Sequence, residues 1–262
     1  SKLMERILLD TNFWIHFKEN PDCFEDFYST VNQNDYIEVI FAFPNFIDLI
    51  KYHKYDDLAK IISHTADSYL PPLPDSGGKY PVTNDPLSLV PDQSFQQELR
   101  EKTAGFDEEE KLRSILRCSD VSTPEYDLGE QLHRYRSITE EYDIEHLKAI
   151  VFDEYLELDD DGMYHLDQSD IDIIEFVKNM SLLYRISILD PNENPSSNDM
   201  SDIALCASAI VCECSIFAIE EKWVNEGLID DLINDLLYDQ KIDTVVEYDE
   251  LTPTVKNHIK SE

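Results

Sequence analysis

The chain has 262 residues, 42% hydrophobic and 11% aromatic, enough for one large domain or a domain with a substantial insertion, and this composition excludes wholesale disorder. Its 56 acidic residues against 21 basic ones give a formal charge of -35, and no run approaches the roughly 18 to 20 consecutive apolar residues that a membrane span needs. The five cysteines, Cys23, Cys118, Cys206, Cys212 and Cys214, show neither disulfide-like pairing nor zinc-like spacing, so reduced thiols in a cytoplasm are expected, and Cys212-Glu213-Cys214 is read as packing.

Three causes compete for the charge: adaptation to a salt-rich cytosol, mimicry of nucleic acid, or a basic protein partner. The acids are spread along the whole chain, which favours a halophilic protein, while 14 lysines to 7 arginines point the other way.

In chain order, Ile7, Leu8 and Leu9 form a short apolar run that reads as a strand buried on both faces, with Asp10 at its carboxyl end. Thr11 or Asn12 is placed to cap a helix over residues 13–19. A carboxylate at the carboxyl edge of a parallel sheet, beside a helix N-terminus, lies where open α/β sheets bind ligands. Asp10 is thus open to two readings, a helix cap and a functional acid. Residues 21–34 predict a second helix, and 35–42, alternating and rich in β-branched and aromatic residues, a second strand. Pro44 opens a helix that carries Asp48 near its start. A further helix is expected over 57–69.

Residues 71–91 hold six prolines and the pair Gly77-Gly78, the composition of an irregular loop or a boundary. Beyond it, 93–118 and 123–158 are long, polar, helix-favouring segments. Asp159-Asp160-Asp161-Gly162 departs from a calcium loop at Glu157 and Gln168, so an acidic turn is the simpler reading. Ser169 caps a helix over 171–184, which leads into a short strand at 185–189. The next helix starts at Asp199 or Asp202 and is packed with small apolar residues. Residues 215–219 form an apolar strand ending at Glu220, 228–238 an amphipathic segment, and 244–248 an edge or closing strand.

Asp10, Asp48, Asp202 and Glu220, with Asp199 one helical turn before Asp202, share one description: each sits at a strand end or at the start of a helix. In a parallel sheet with right-handed crossovers such positions fall on one rim. Carboxylates brought together raise one another's pKa unless a cation sits among them, and magnesium or manganese is the usual hard-oxygen partner for phosphoryl chemistry.

The segments carrying these acids resemble the four motifs of PIN-domain nucleases: Leu8-Leu9-Asp10-Thr11-Asn12, Phe46-Ile47-Asp48-Leu49-Ile50, Asp202-Ile203-Ala204-Leu205-Cys206-Ala207-Ser208-Ala209 and Ile216-Phe217-Ala218-Ile219-Glu220-Glu221-Lys222-Trp223. The resemblance implies a three-layer α/β/α fold with a central parallel sheet, and metal-dependent cleavage of RNA, less often of DNA flaps. It covers 4–72 and 185–250, leaving 73–184 as a long, mainly helical insertion and 251–262 as a C-terminal tail. The family usually has Glu where this chain has Asp48, and Asp where it has Glu220.

On this reading Asp10, Asp48 and Asp202 hold the first magnesium or manganese ion. Glu220, with Asp199, helps hold a second or orients water, and Thr11, Asn12 and Lys222 touch ligand or substrate. Arg113, Arg117, His133, Arg134, Tyr135 and Arg136 make the nearest thing to a basic patch, but read more simply as partners for surrounding acids. The partners expected are nucleic acid, RNA ahead of DNA, a protein engaged through the insertion, and a second copy of the chain; no membrane is expected. The alternative function is a catalytically weakened protein-interaction module of the same fold, which the two exchanged carboxylates and the acidity favour.

Overall fold

In the computed structural model of the chain, the residues described are 4–51, 54–72, 82–118, 121, 136–137, 143–155, 157–158, 160–161, 164–165, 173–188, 193, 196–220 and 242–260. The N-terminal half runs β1 (Glu5–Leu9), α1 (Thr11–Glu19), α2 (Pro21–Asn32), β2 (Ile37–Ala42), α3 (Phe43–Ile50), α4 (Ala59–Thr65) and β3 (Ser68–Leu70). There follow α5 (Gln93–Lys102), α6 (Glu108–Leu116), α7 (Ile144–Tyr155), the two short strands β4 (Glu157–Leu158) and β5 (Tyr164–His165), and α8 (Ile173–Ile188). The chain then returns through α9 (Ser197–Val211), β6 (Ile216–Ala218), β7 (Asp243–Val245) and α10 (Leu251–Lys260).

Five strands form one sheet in the order β3-β2-β1-β6-β7, and every pairing is parallel. Alternate residues of each strand project to opposite faces. Ile7, Leu9, Val39, Phe41, Ile216 and Ala218 enter one apolar layer with Trp14, Phe17, Phe46 and Ile62. Leu8, Ile40, Ala42 and Phe217 enter the other, with Phe176, Leu183, Ile203 and Ala207. A strand buried on both faces needs apolar residues throughout, which is why β1 and β6 read as continuous hydrophobic runs. The result is a three-layer α/β/α fold. Among the described residues no helix is long and apolar enough to cross a membrane.

The described part of 73–184 completes both helical layers. Leu87, Leu89, Leu112 and Ile115 pack in the layer of α1 and α4, whereas Leu147, Val151, Phe176 and Met180 pack in the layer of α9. The antiparallel pair β4 and β5 places Asp160 and Asp161 in a turn between two strands.

Several sequence expectations are corrected. Asp10, not Thr11 or Asn12, takes the cap position of α1, with extended backbone angles and no side-chain cap bond. The helix expected over 57–69 stops at Thr65, and Ser68–Leu70 joins the sheet edge as β3; three residues are too few for a strand period to show against a helical background. Residues 93–118 form two helices, because the chain turns at Gly105, φ +88°, and Asp107 with Glu110 builds a new capping box. Of the strand expected at 185–189, residues 185–188 are instead the last turn of α8. Helix α9 starts earlier than expected, capped by Ser196 with Asp199 at its third position, so Asp202 lies in its second turn. The closing strand is Asp243–Val245, and Tyr248 opens a short 3-10 turn, Tyr248–Glu250. The 251–262 tail contains α10, whose Leu251, Thr252 and Val255 are buried. Lys222, 123–135 and 228–238 lie outside the described residues.

Candidate metal centre

Strand order reverses between β1 and β6: from β1 the chain builds outward through β2 to β3, then returns to lay β6 on the opposite side of β1. The crevice at the carboxyl ends of two such strands is where open α/β sheets place ligands. Leu9 pairs with Ala218 and the Asp10 amide donates to the Ala218 carbonyl at 2.8 Å. Asp10 and Glu220 therefore leave the sheet side by side.

A cavity of about 300 Å³ opens there, lined by Asp10, Thr11, Asn12, Asp48, Asp202 and Glu220, with Arg185, Glu193 and Asp199 on its wall. Of the sequence-predicted site residues, Asp10, Thr11, Asn12, Asp48, Asp199, Asp202 and Glu220 line it, and Lys222 lies outside the described residues. Asp10 is only 3% exposed and Asp202 8%, whereas Glu220 is exposed and Asp48 half-buried.

A hydrogen-bond scaffold fixes these acids. Asn45, fully buried, donates to the Leu9 carbonyl at 2.9 Å and to Thr11 Oγ1 at 3.2 Å, while its Oδ1 accepts from the Ala42 amide at 3.0 Å. One side chain thus ties the end of β1 to the start of α3. Thr11 Oγ1 in turn donates to Asp48 Oδ2 at 3.2 Å. Asn12 Nδ2 spans two carboxylates, reaching Asp10 Oδ2 at 3.4 Å and Glu220 Oε1 at 3.3 Å.

The electrostatics follow from this crowding. Burial first, then the charges of Asp202 and Glu220, and in smaller part Asp48, push the Asp10 carboxyl from 3.8 up to about 7. The Tyr248 phenol is held above its ordinary value by burial and then by Asp10 and Glu220, so it feels the same acidic field. Its ring stacks on His16 with centroids 3.9 Å apart and an interplanar angle of 7°. Tyr248 is 38% exposed.

Two cations enter that sequence reasoning did not single out. Lys51 Nζ pairs with Asp48 Oδ1 at 3.2 Å and reaches Ser201 Oγ at 3.4 Å. Arg185 Nε pairs with Asp199 Oδ1 at 2.7 Å. The other oxygen of Asp199 accepts from the Ser196 amide at 2.7 Å and from its hydroxyl at 2.8 Å, so Asp199 is engaged in capping α9 and in holding Arg185. The sequence did carry one sign of this: Ser196-Ser197-Asn198-Asp199 is a capping-box pattern. Of the basic patch, Arg117 pairs with Asp56 and Arg113 with Glu109, each at 2.7 Å, as ordinary surface partners. His133, Arg134 and Tyr135 lie outside the described residues.

The donors facing the cavity are carboxylate, hydroxyl and amide oxygens, the chemistry that suits a hard divalent cation. Among the described residues no group of three or more His, Cys, Asp or Glu side chains is preassembled to hold a metal ion. No known protein family, curated protein or solved structure matches the chain.

Proposed function

We propose that the chain is a metal-dependent endonuclease of the PIN-like class that hydrolyses single-stranded or structured RNA, with magnesium or manganese held by Asp10, Asp48, Asp202 and Glu220. The observation that carries this reading is Asp10. A carboxylate 3% exposed, raised to about 7 with Asp202 and Glu220 as charged neighbours, is a costly arrangement that a divalent cation relieves. Its position at the strand-order reversal supports the same reading.

When bound, a divalent ion supplies positive charge to phosphate oxygens and lowers the pKa of a water. The chain's own residues have the complementary tasks. Asp10, Asp48 and Asp202 provide oxygens from three separate elements, and Thr11 sets the rotation of Asp48 through its hydroxyl. Asn12 fixes the spacing of Asp10 and Glu220, and Glu220, longer by one methylene than Asp and exposed, is suited to orient a water. The stacked His16 and Tyr248 rings offer an aromatic surface of the kind on which unpaired bases rest.

A second reading, a weakened interaction module, draws support from Lys51, which already neutralises part of Asp48. The experiment that separates them is cleavage of labelled single-stranded RNA and of a DNA flap, with manganese or magnesium, at low and molar potassium chloride, beside Asp10→Asn. Metal-dependent cutting lost in the variant supports the nuclease. No cutting in any metal or salt, with calorimetry also detecting no metal binding, overturns it in favour of the interaction module.

A further inference from the structure

We propose that Arg185 is the phosphate-binding residue of this cavity, its guanidinium anchored at one edge by Asp199 and offered to the nucleic-acid backbone. The inference rests on the nuclease reading above. Among the described residues lining the cavity, Arg185 is the one cationic side chain. A polyanion entering so acidic a cleft needs such a group to meet its oxygens.

The local geometry is that of a held arginine. Arg185 lies in the last turn of α8, its side chain 19% exposed, and Asp199 beneath it is 4% exposed. The bond from Nε to Asp199 Oδ1, 2.7 Å long, uses one N–H of the fork. A guanidinium carries five donors in a rigid plane, so an arginine gripped through Nε keeps its terminal nitrogens for a bidentate contact with phosphate.

The acid at position 199 points the same way. Capping α9 needs an oxygen acceptor at the third position and a Ser at the cap, and a neutral amide fills that hydrogen-bonding role, giving up only the helix-dipole contribution of a charge in the first turn. Beyond that modest contribution, the negative charge adds its grip on Arg185. Burying two charges is costly unless the pair is well bonded, and here both Asp199 oxygens are bonded, one by Arg185 and one by Ser196. Asp199 is therefore a positioning residue acting through Arg185.

The test measures binding of labelled single-stranded RNA by fluorescence anisotropy across a potassium chloride series, with KM and kcat for cleavage in manganese, for wild type, Arg185→Gln, Arg185→Lys and Asp199→Asn. Circular dichroism melts report folding of each. Arg185→Gln is expected to weaken binding and raise KM by about tenfold to a hundredfold. Its log–log salt dependence is expected to be shallower by about 0.7, the single-strand value for one phosphate contact. Arg185→Lys keeps the charge and so the slope, but loses the fork and severalfold in affinity. Asp199→Asn is expected to keep α9 and fall between wild type and Arg185→Gln. A purely structural ion pair would lower the melting temperature and leave the salt slope unmoved, which overturns the inference. Wild-type cleavage with unchanged KM and slope in folded Arg185→Gln overturns it too, while leaving the nuclease reading intact; should that variant not fold, wild-type affinity in Arg185→Lys does the same. Wild type that neither binds nor cuts RNA in manganese defeats the nuclease reading and this inference with it.

Discussion

Replacing Asp10 by Asn removes a charge while keeping the shape of the side chain, and the structure predicts that this stabilises the protein above neutral pH. In the unfolded chain the carboxyl titrates near 3.8, and in the folded protein at about 7. A group raised on folding contributes stability that is complete below its unfolded value and is lost as pH rises through its folded value. Between pH 4 and pH 8 the wild type therefore loses, through this one group, about 4 kcal/mol, at about 1.4 kcal/mol per pH unit. Asp10→Asn does not titrate, so it should exceed wild type by about 2 to 4 kcal/mol at pH 8 and match it near pH 4. Urea unfolding followed by circular dichroism at several pH values measures the difference. Because both proteins share the remaining acids, the gap between them isolates Asp10. Adding manganese at pH 8 should stabilise wild type more than the variant and narrow the gap, since an ion that binds only the folded state raises stability by mass action. A variant no more stable than wild type at pH 8, or a gap independent of pH, would refute the argument that burial, with the neighbouring charges of Asp202 and Glu220, raises the Asp10 carboxyl.

Asn45→Ala strips three hydrogen bonds from the junction of β1 and α3 and leaves buried backbone groups unpaired, so it should cost about 2 to 4 kcal/mol in urea unfolding and abolish metal-dependent activity. Lys51→Met removes the cation that pairs with Asp48; isothermal calorimetry should show tighter manganese binding, while the metal-free melting temperature falls. Tyr248→Ala, by removing one partner of the stack on His16, should weaken single-stranded RNA binding by about 1 to 3 kcal/mol with little change in salt dependence, and Tyr248→Phe should retain binding; anisotropy titration reads both.

The fold was readable where burial is two-sided. Residues 7–9 and 216–218 are apolar throughout because both faces of β1 and β6 are covered, and that pattern survives without tertiary knowledge. Ser68–Leu70 was not readable, because an edge strand of three residues has no period of its own. Nor was the end of α8, where Arg185, Ile186, Ser187 and Ile188 alternate like a strand yet continue a helix whose apolar face packs on α9. The acids of the site were legible from their places at strand ends. Of their cations, Lys51 stands three residues from Asp48, a local spacing, though its contact with Ser201 spans 150 residues; Arg185 meets Asp199 only because α8 and α9 lie side by side. The Arg185 pair belongs to packing and leaves no local sequence period.

The placement of β6 beside β1 also makes the cleft depend on a pairing between distant parts of the chain. Of the site's acids, the segment through α3 holds Asp10 and Asp48. Glu220, bridged to Asn12 across 208 residues, arrives with Asp202 when the returning segment docks, a long-range closure of the kind that folds slowly. The full repulsion among the acids therefore arises only where β6 has paired with β1. The cleft thus exists only in the assembled sheet, and a cation bound there would favour the folded chain by mass action.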